Sequence, residues 1–157
     1  MLRWIGASAP FLLVLASACA TPPAGDTIPQ LPAVAGTGPL GSEAAAIRDV
    51  VTAFMTAEAG GEPADSLLAP GADFLMTGIT VTRAPRLAGL NGTGTATIEA
   101  AGTYVAGALA YVVVAYRFDA SVPELDERAR GTFVLEKQRA GWRIRHVHTS
   151  MVGRWER

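Results

Sequence analysis

The chain has 157 residues, 13 basic and 14 acidic, for a formal charge of −1, and half of them are apolar. That length builds one domain with a real core and hardly two. The balanced charge, with no basic run and no aromatic platform between basic residues, points away from nucleic acid as a partner, and the single cysteine, Cys19, excludes an intrachain disulfide and any cysteine-based zinc site.

A mean hydropathy of +0.28 is high for a soluble domain, and the first residues account for it. "MLRWIGASAPFLLVLASAC" carries Arg3, then the apolar block Phe11 to Leu15, then small residues. This is a signal-peptide layout, too short and too interrupted by Pro10 to span a bilayer. The run Leu15-Ala16-Ser17-Ala18-Cys19 resembles a bacterial lipobox, in which the cysteine is lipidated and becomes the new N-terminus. General secretion, with cleavage at Ala16-Ser17-Ala18 or Ala18-Cys19-Ala20, is the other reading. Lipidation implies a membrane anchor, since acyl chains bind bilayers by about 0.8 kcal/mol per buried CH₂. Ala20 after the cysteine, rather than Asp, favours the outer membrane, so the expected location is the periplasmic face of the cell envelope. Residues 20 to 42 hold Pro22, Pro23, Pro29, Pro32 and Pro39 among glycines, a composition that supports neither helix nor ladder. The expected organisation is therefore a signal peptide over 1–18, a lipidated Cys19 and tether over 19–42, and one domain over 43–157.

Within the domain, "SEAAAIRDVVTAFMTAEAGG" predicts a helix capped by Ser42, with Ile47, Val50, Val51, Phe54 and Met55 on one face and Gly60-Gly61 as its stop. "EPADSLLAPG" predicts a second, short helix, opened by Pro63 and ended by Pro70-Gly71. After Gly71 the period falls to 2: "DFLMTGITVT" reads as a strand. Asn91-Gly92 then reads as a hairpin turn. "TATIEAAGTYV", "ALAYVVVAYRFD", "ERARGTFVLEKQ" and "GWRIRHVHTSMV" read as four long strands of an antiparallel meander. Helices followed by such a sheet make an α+β domain, with the helices over one face.

The last strand holds the chain's two histidines, His146 and His148. Strict alternation places Trp142, Ile144, His146, His148 and Ser150 on one face and Arg143, Arg145 and Val147 on the other. If Phe133 and Leu135 of the preceding strand bury with Trp142 and Ile144, the histidines face inward. Gly131 and Ala129 beside them have almost no side chain, so a pocket is expected near His148, lined by Tyr104, Tyr116, Phe133, His146 and His148. Two histidines two apart on a strand lie about 7 Å apart at Cα, close enough to share a metal. The positions read as inward supply no third ligand, so neither a metal nor a cofactor is expected. A histidine serves as a general base near neutral pH when a second group orients it. No nucleophile motif or paired carboxylates accompany these two, so both are equally readable as half-buried pocket residues.

"GTFVLEKQRAGWRIRHVHTS" and the preceding "GALAYVVVAYRFD" (Gly107 to Asp119) resemble the closing strands of the SnoaL-like branch of the NTF2-like superfamily, and also those of the calmodulin-dependent kinase II association domain. The resemblance covers about Glu43 to Val152. It implies a cystatin-like cone, with a strongly curved antiparallel sheet around a pocket. Members often wall that pocket with a third helix, for which "RAPRLAGLNGTGT" is too short and too rich in glycine. The superfamily holds isomerases, dehydratases and cyclases beside non-catalytic binding and assembly modules, so the fold alone does not choose. The acid–base set of ketosteroid isomerases maps onto no named position here, and no catalytic residue is carried over. The expected function is an envelope lipoprotein whose domain binds a small, partly apolar ligand or self-associates as a homodimer through its sheet. The alternative is a small periplasmic lyase or isomerase with His146 or His148 as base.

Overall fold

The computed structural model describes residues 39–152, apart from 91 and 121–125. The signal-peptide and Cys19 expectations, and nearly all of the tether, lie outside the described residues.

The long helix α1 runs Pro39–Gly60, three residues ahead of the expected cap at Ser42. Proline at a first turn loses nothing, because its missing N–H is one the helix would leave unbonded. Ala44, Ile47, Val51, Phe54, Met55, Glu58 and Ala59 are its buried positions, the 3.6-residue stripe read from the sequence with one carboxylate added to it. Gly61, at φ +75°, stops the helix. Its N–H bonds Glu58 O and the N–H of Glu62 bonds Ala57 O, the paired closure that a left-handed residue makes possible.

The second helix does not form. Only Asp65–Leu67 make a 3₁₀ turn, and the chain then extends as strand β1, Leu68–Met76. Tertiary pairing overrides the local signal: Leu68 lies beside Ile144 and Asp73 beside His146 in a parallel ladder, with an irregularity between them that absorbs Pro70-Gly71. Thr77 and Gly78, both at positive φ, turn the chain into the short strand β2, Ile79–Thr80, as a two-residue hairpin. The hairpin expected at Asn91-Gly92 is corrected. Asn91 lies outside the described residues, and the strand beginning at Gly94 pairs only with the one after it.

The meander follows as expected, with β3 at Gly94–Ala106, β4 at Leu109–Ala120, β5 at Asp126–Gln138 and β6 at Gly141–Met151. Among the described residues the sheet order is β2-β1-β6-β5-β4-β3, and the sheet is mixed, β1 and β6 pairing in parallel and the other neighbours antiparallel. One helix on a six-stranded sheet is an α+β architecture. Val51, Phe54, Phe133, Leu135, Trp142 and Ile144 meet in one core between α1 and the sheet, each large apolar side chain stabilising the fold by about 1.5–3 kcal/mol when fully buried.

Two β-bulges correct the assignment of faces. On β6, Ile144 lies opposite Leu135 and His146 opposite Val134, leaving Arg145 as an extra residue. On β3, Ile98 lies opposite Tyr116 and Ala100 opposite Ala115, leaving Glu99 extra. Each extra residue shifts the alternation by one, so every later side chain changes face. Val147 and Thr149 therefore point inward, wholly buried, while His146 and His148 point out. Likewise Thr103, not Tyr104, faces the helix side, and its Oγ1 is buried without a hydrogen-bond partner.

Candidate functional site

The interior between helix and sheet is occupied by the chain itself. Residues 81–90 form no helix or strand, yet Arg86, Leu87, Ala88 and Leu90 are all buried. Arg86 enters first. Its backbone N–H donates to Glu58 Oε2 at 2.8 Å, its Nε to Glu58 Oε1 at 2.7 Å and its Nη1 to Asp65 Oδ1 at 2.8 Å. The guanidinium carbon lies 5.0 Å from the Phe74 ring centre and 5.6 Å from that of Phe54, within cation–π range. Burial works against this charge, but the bonds to Asp65 and Glu58 outweigh it and hold the guanidinium above its ordinary pKa. The Glu58 side chain is wholly buried, so α1 carries a carboxylate on its apolar stripe for this one partner.

Ala88 follows, held on both sides. Its N–H donates to Thr149 Oγ1 at 2.8 Å, and its carbonyl accepts from the Tyr116 hydroxyl at 2.6 Å. Burial drives the Tyr116 pKa well above the ordinary tyrosine value, and a hydrogen bond with Thr149 offsets only part of this. A raised native pKa stabilises the fold below the unfolded tyrosine value and loses that contribution as pH climbs past it, because only the unfolded chain ionises. The stability advantage of the wild type over Tyr116→Phe should therefore narrow between about pH 9 and 11, read from urea unfolding midpoints. A constant difference would show that the hydroxyl is not shielded.

The residues expected to line a pocket fall on two faces. Tyr116 and Phe133 are brought together in the core. Tyr104, His146 and His148 lie on the outer face. The space expected over Gly131 is filled: a Cβ there would lie 3.0 Å from Thr149 Cγ2 and 3.1 Å from Phe133 Cε2. His148 is exposed, with Nε2 3.5 Å from Ser150 Oγ, the outer limit of a hydrogen bond. His146 has the better partner, Asp73 Oδ2 at 3.1 Å from Nδ1. Asp73 was not picked out from the sequence, because a parallel pairing across the whole domain leaves no local trace. Among the described residues no three His, Cys, Asp or Glu side chains converge as metal ligands.

On the outer face one row crosses five strands: Tyr104, Tyr111, Val134, His146, Asp73. The two tyrosine rings stack at 4.5 Å and 14°. Tyr111 is 43 % exposed and Leu109, near it at the turn, 56 %. At the far end of the same strands Arg128 faces Glu99 at 3.7 Å and Arg117 faces Asp119 at 3.2 Å. Two surface depressions lie elsewhere. A cleft of about 510 Å³ borders Asp65, Leu68, Asp73, Phe74, Thr80 and Arg86. A shallow groove of about 450 Å³ lies between the start of α1 and Trp142, where Lys137 pairs with Glu43 and covers the indole.

A family model described as a SnoaL-like domain matches residues 43–153. Among solved structures, a candidate ketosteroid isomerase from Shewanella frigidimarina is 26% identical, covering 67% of this chain and 94% of its own, with a TM-score of 0.55. A candidate calcium/calmodulin-dependent protein kinase II association domain from Xanthomonas campestris is 22% identical over 80% of this chain and 95% of its own, at 0.54. A protein with a cystatin-like fold from Caulobacter vibrioides is 18% identical over 73% and 92%, at 0.56. The fold is thus the cystatin-like cone. No curated protein matches the chain.

Proposed function

Because the chain belongs to the SnoaL-like family and fills its cone with its own residues 86–90, we propose that it is a non-catalytic assembly module that pairs with a second copy through the outer face of its sheet. The observation that carries this reading is the stacked Tyr104–Tyr111 pair, with Leu109 beside it, standing on strands β3 and β4 with no element of the described chain over it. Exposed aromatic residues are favoured anchors of interfaces. A patch of stacked rings and one leucine complements itself, as a two-fold contact requires. The likeness to an association domain in Xanthomonas campestris supports the same reading. The wild-type chain should sediment as a dimer. Tyr111→Arg should shift it to monomer, weakening the dimer by at least about tenfold as expected for loss of a central aromatic anchor, with an unchanged circular dichroism spectrum. A wild type that stays monomeric at high micromolar concentration would exclude the reading.

The same proposal places the module at a membrane. The support is sequence alone: an apolar leader, and a lone cysteine at the one position that lipidation needs. Cys19→Ala should release the protein from the membrane fraction or stall its processing. Equal membrane association with normal cleavage would exclude the anchor.

A further inference from the structure

We propose that the interior of the cone is a recognition site for a short, apolar, amide-bearing turn with a cation at its leading end, and that residues 86–90 are its tethered occupant. The bonding to Ala88 is the first ground. Backbone in a packed core is usually satisfied by other backbone. Here both polar groups of one residue are met by side chains, Thr149 Oγ1 accepting from its N–H and Tyr116 donating to its carbonyl. Those two side chains come from β6 and β4, on either side of β5, Thr149 beside Gly131 and Tyr116 beside Ala129. A ligand bearing only a carbonyl satisfies one of them. A peptide residue satisfies both.

The second ground is what surrounds that residue. Leu87 and Leu90 fill apolar sockets on either side, 0% and 7% exposed. Arg86 is met by Glu58, which has no other hydrogen-bond or ion-pair partner shown among the described residues. With the segment withdrawn, the Glu58 carboxylate would stand unpaired in the core, and the Tyr116 and Thr149 hydroxyls would keep only each other, each with one further hydrogen-bonding position open to an occupant. Its order (cation, apolar residue, small residue bonded through N–H and C=O, apolar residue) defines the class: a short peptide of the pattern Arg-Leu-Ala-Gly-Leu. The segment itself has no helix or ladder to hold it in place, so its retention rests on these contacts.

The experiment has two arms. In the intact wild-type chain, native-state hydrogen exchange should show the amides of residues 87–90 opening in a step with weaker denaturant dependence than the amides of β4 to β6. If they exchange only with global unfolding, the segment is ordinary core and the proposal is overturned, whatever the second arm gives. In that arm the segment is disengaged by the combined changes Arg86→Gly, Leu87→Ser and Leu90→Ser, and acetyl-Arg-Leu-Ala-Gly-Leu-amide is offered in trans. The folded variant should bind it one to one. The same peptide N-methylated at alanine, which cannot donate to Thr149, should bind about tenfold more weakly, as expected for one buried hydrogen bond. A folded variant that binds neither peptide, or both equally, also overturns the proposal. Should the variant not fold, the exchange result decides.

Discussion

Glu58→Ala should destabilise the protein by about 3–5 kcal/mol, because it leaves a buried guanidinium without its main counter-charge. Glu58 accepts from the backbone N–H and from the side chain of Arg86, and the Arg86 side chain is only 9% exposed. Asp65 remains as a partner, but its side chain is 78% exposed and spends its charge largely on water. The penalty belongs to the orphaned charge rather than to the pair. Replacing both residues at once, Glu58→Leu with Arg86→Met, should therefore recover part of the loss, since apolar groups of similar volume often match a buried ion pair, while the backbone N–H at position 86, deprived of its acceptor, keeps the rest. Denaturant midpoints of the two variants test this together. A loss below about 1 kcal/mol for the single change would mean that water reaches the guanidinium.

Gly131→Leu should be comparably severe. On the expected reading, with the histidines inward, this substitution would only have filled a pocket. In the structure its first carbon already meets Thr149, Phe133 and Val114 at 3.0, 3.1 and 3.3 Å, and three more carbons have nowhere to go. Overpacking of a filled core costs about 1–3 kcal/mol and sometimes more. A site closed from three sides by two neighbouring strands and its own belongs at or above the upper end. A fall in Tm of roughly 10 °C, or loss of soluble protein, is the expected result. An unchanged Tm would mean that space exists where the structure has none.

The contrast between these substitutions marks what the sequence could convey. Helix α1 and the four strands of the meander are legible because their signals are local: the stripe from Ile47 to Met55, and the alternating runs of β3 to β6. The pairing of Phe133 and Leu135 with Trp142 and Ile144 is legible for the same reason, since it depends only on alternation across a short hairpin. One residue later the same arithmetic fails. A bulge at Arg145 leaves no compositional mark, and it moves both histidines to the outside. Glu99 does the same to Tyr104. Leu68 to Met76 carried a helix signal at its start and a strand signal at its end, and only a partner strand seventy-odd positions away decides between them. The stretch from Arg83 to Thr95 read as too short and too rich in glycine for a helix, and so as a connection rather than core. The one hint was a charged residue, Arg86, entering an apolar run, and its counterpart Glu58 was hidden on the apolar face of a helix.

The bulge at Arg145 has a consequence for how such a domain can change by descent. The ladder takes up the extra residue as a local kink, and the strands on either side keep their partners. Loss of that single codon would therefore remove the kink and leave the side chains beyond it where they are: His146 would follow the inward Ile144 directly and still point out, and Val147 and Thr149 would still point in. Chain length at this one point is free to vary while the core beyond it is inherited intact. A lineage of such domains can gain or lose a residue in the middle of its last strand without exposing the buried set or burying the histidines.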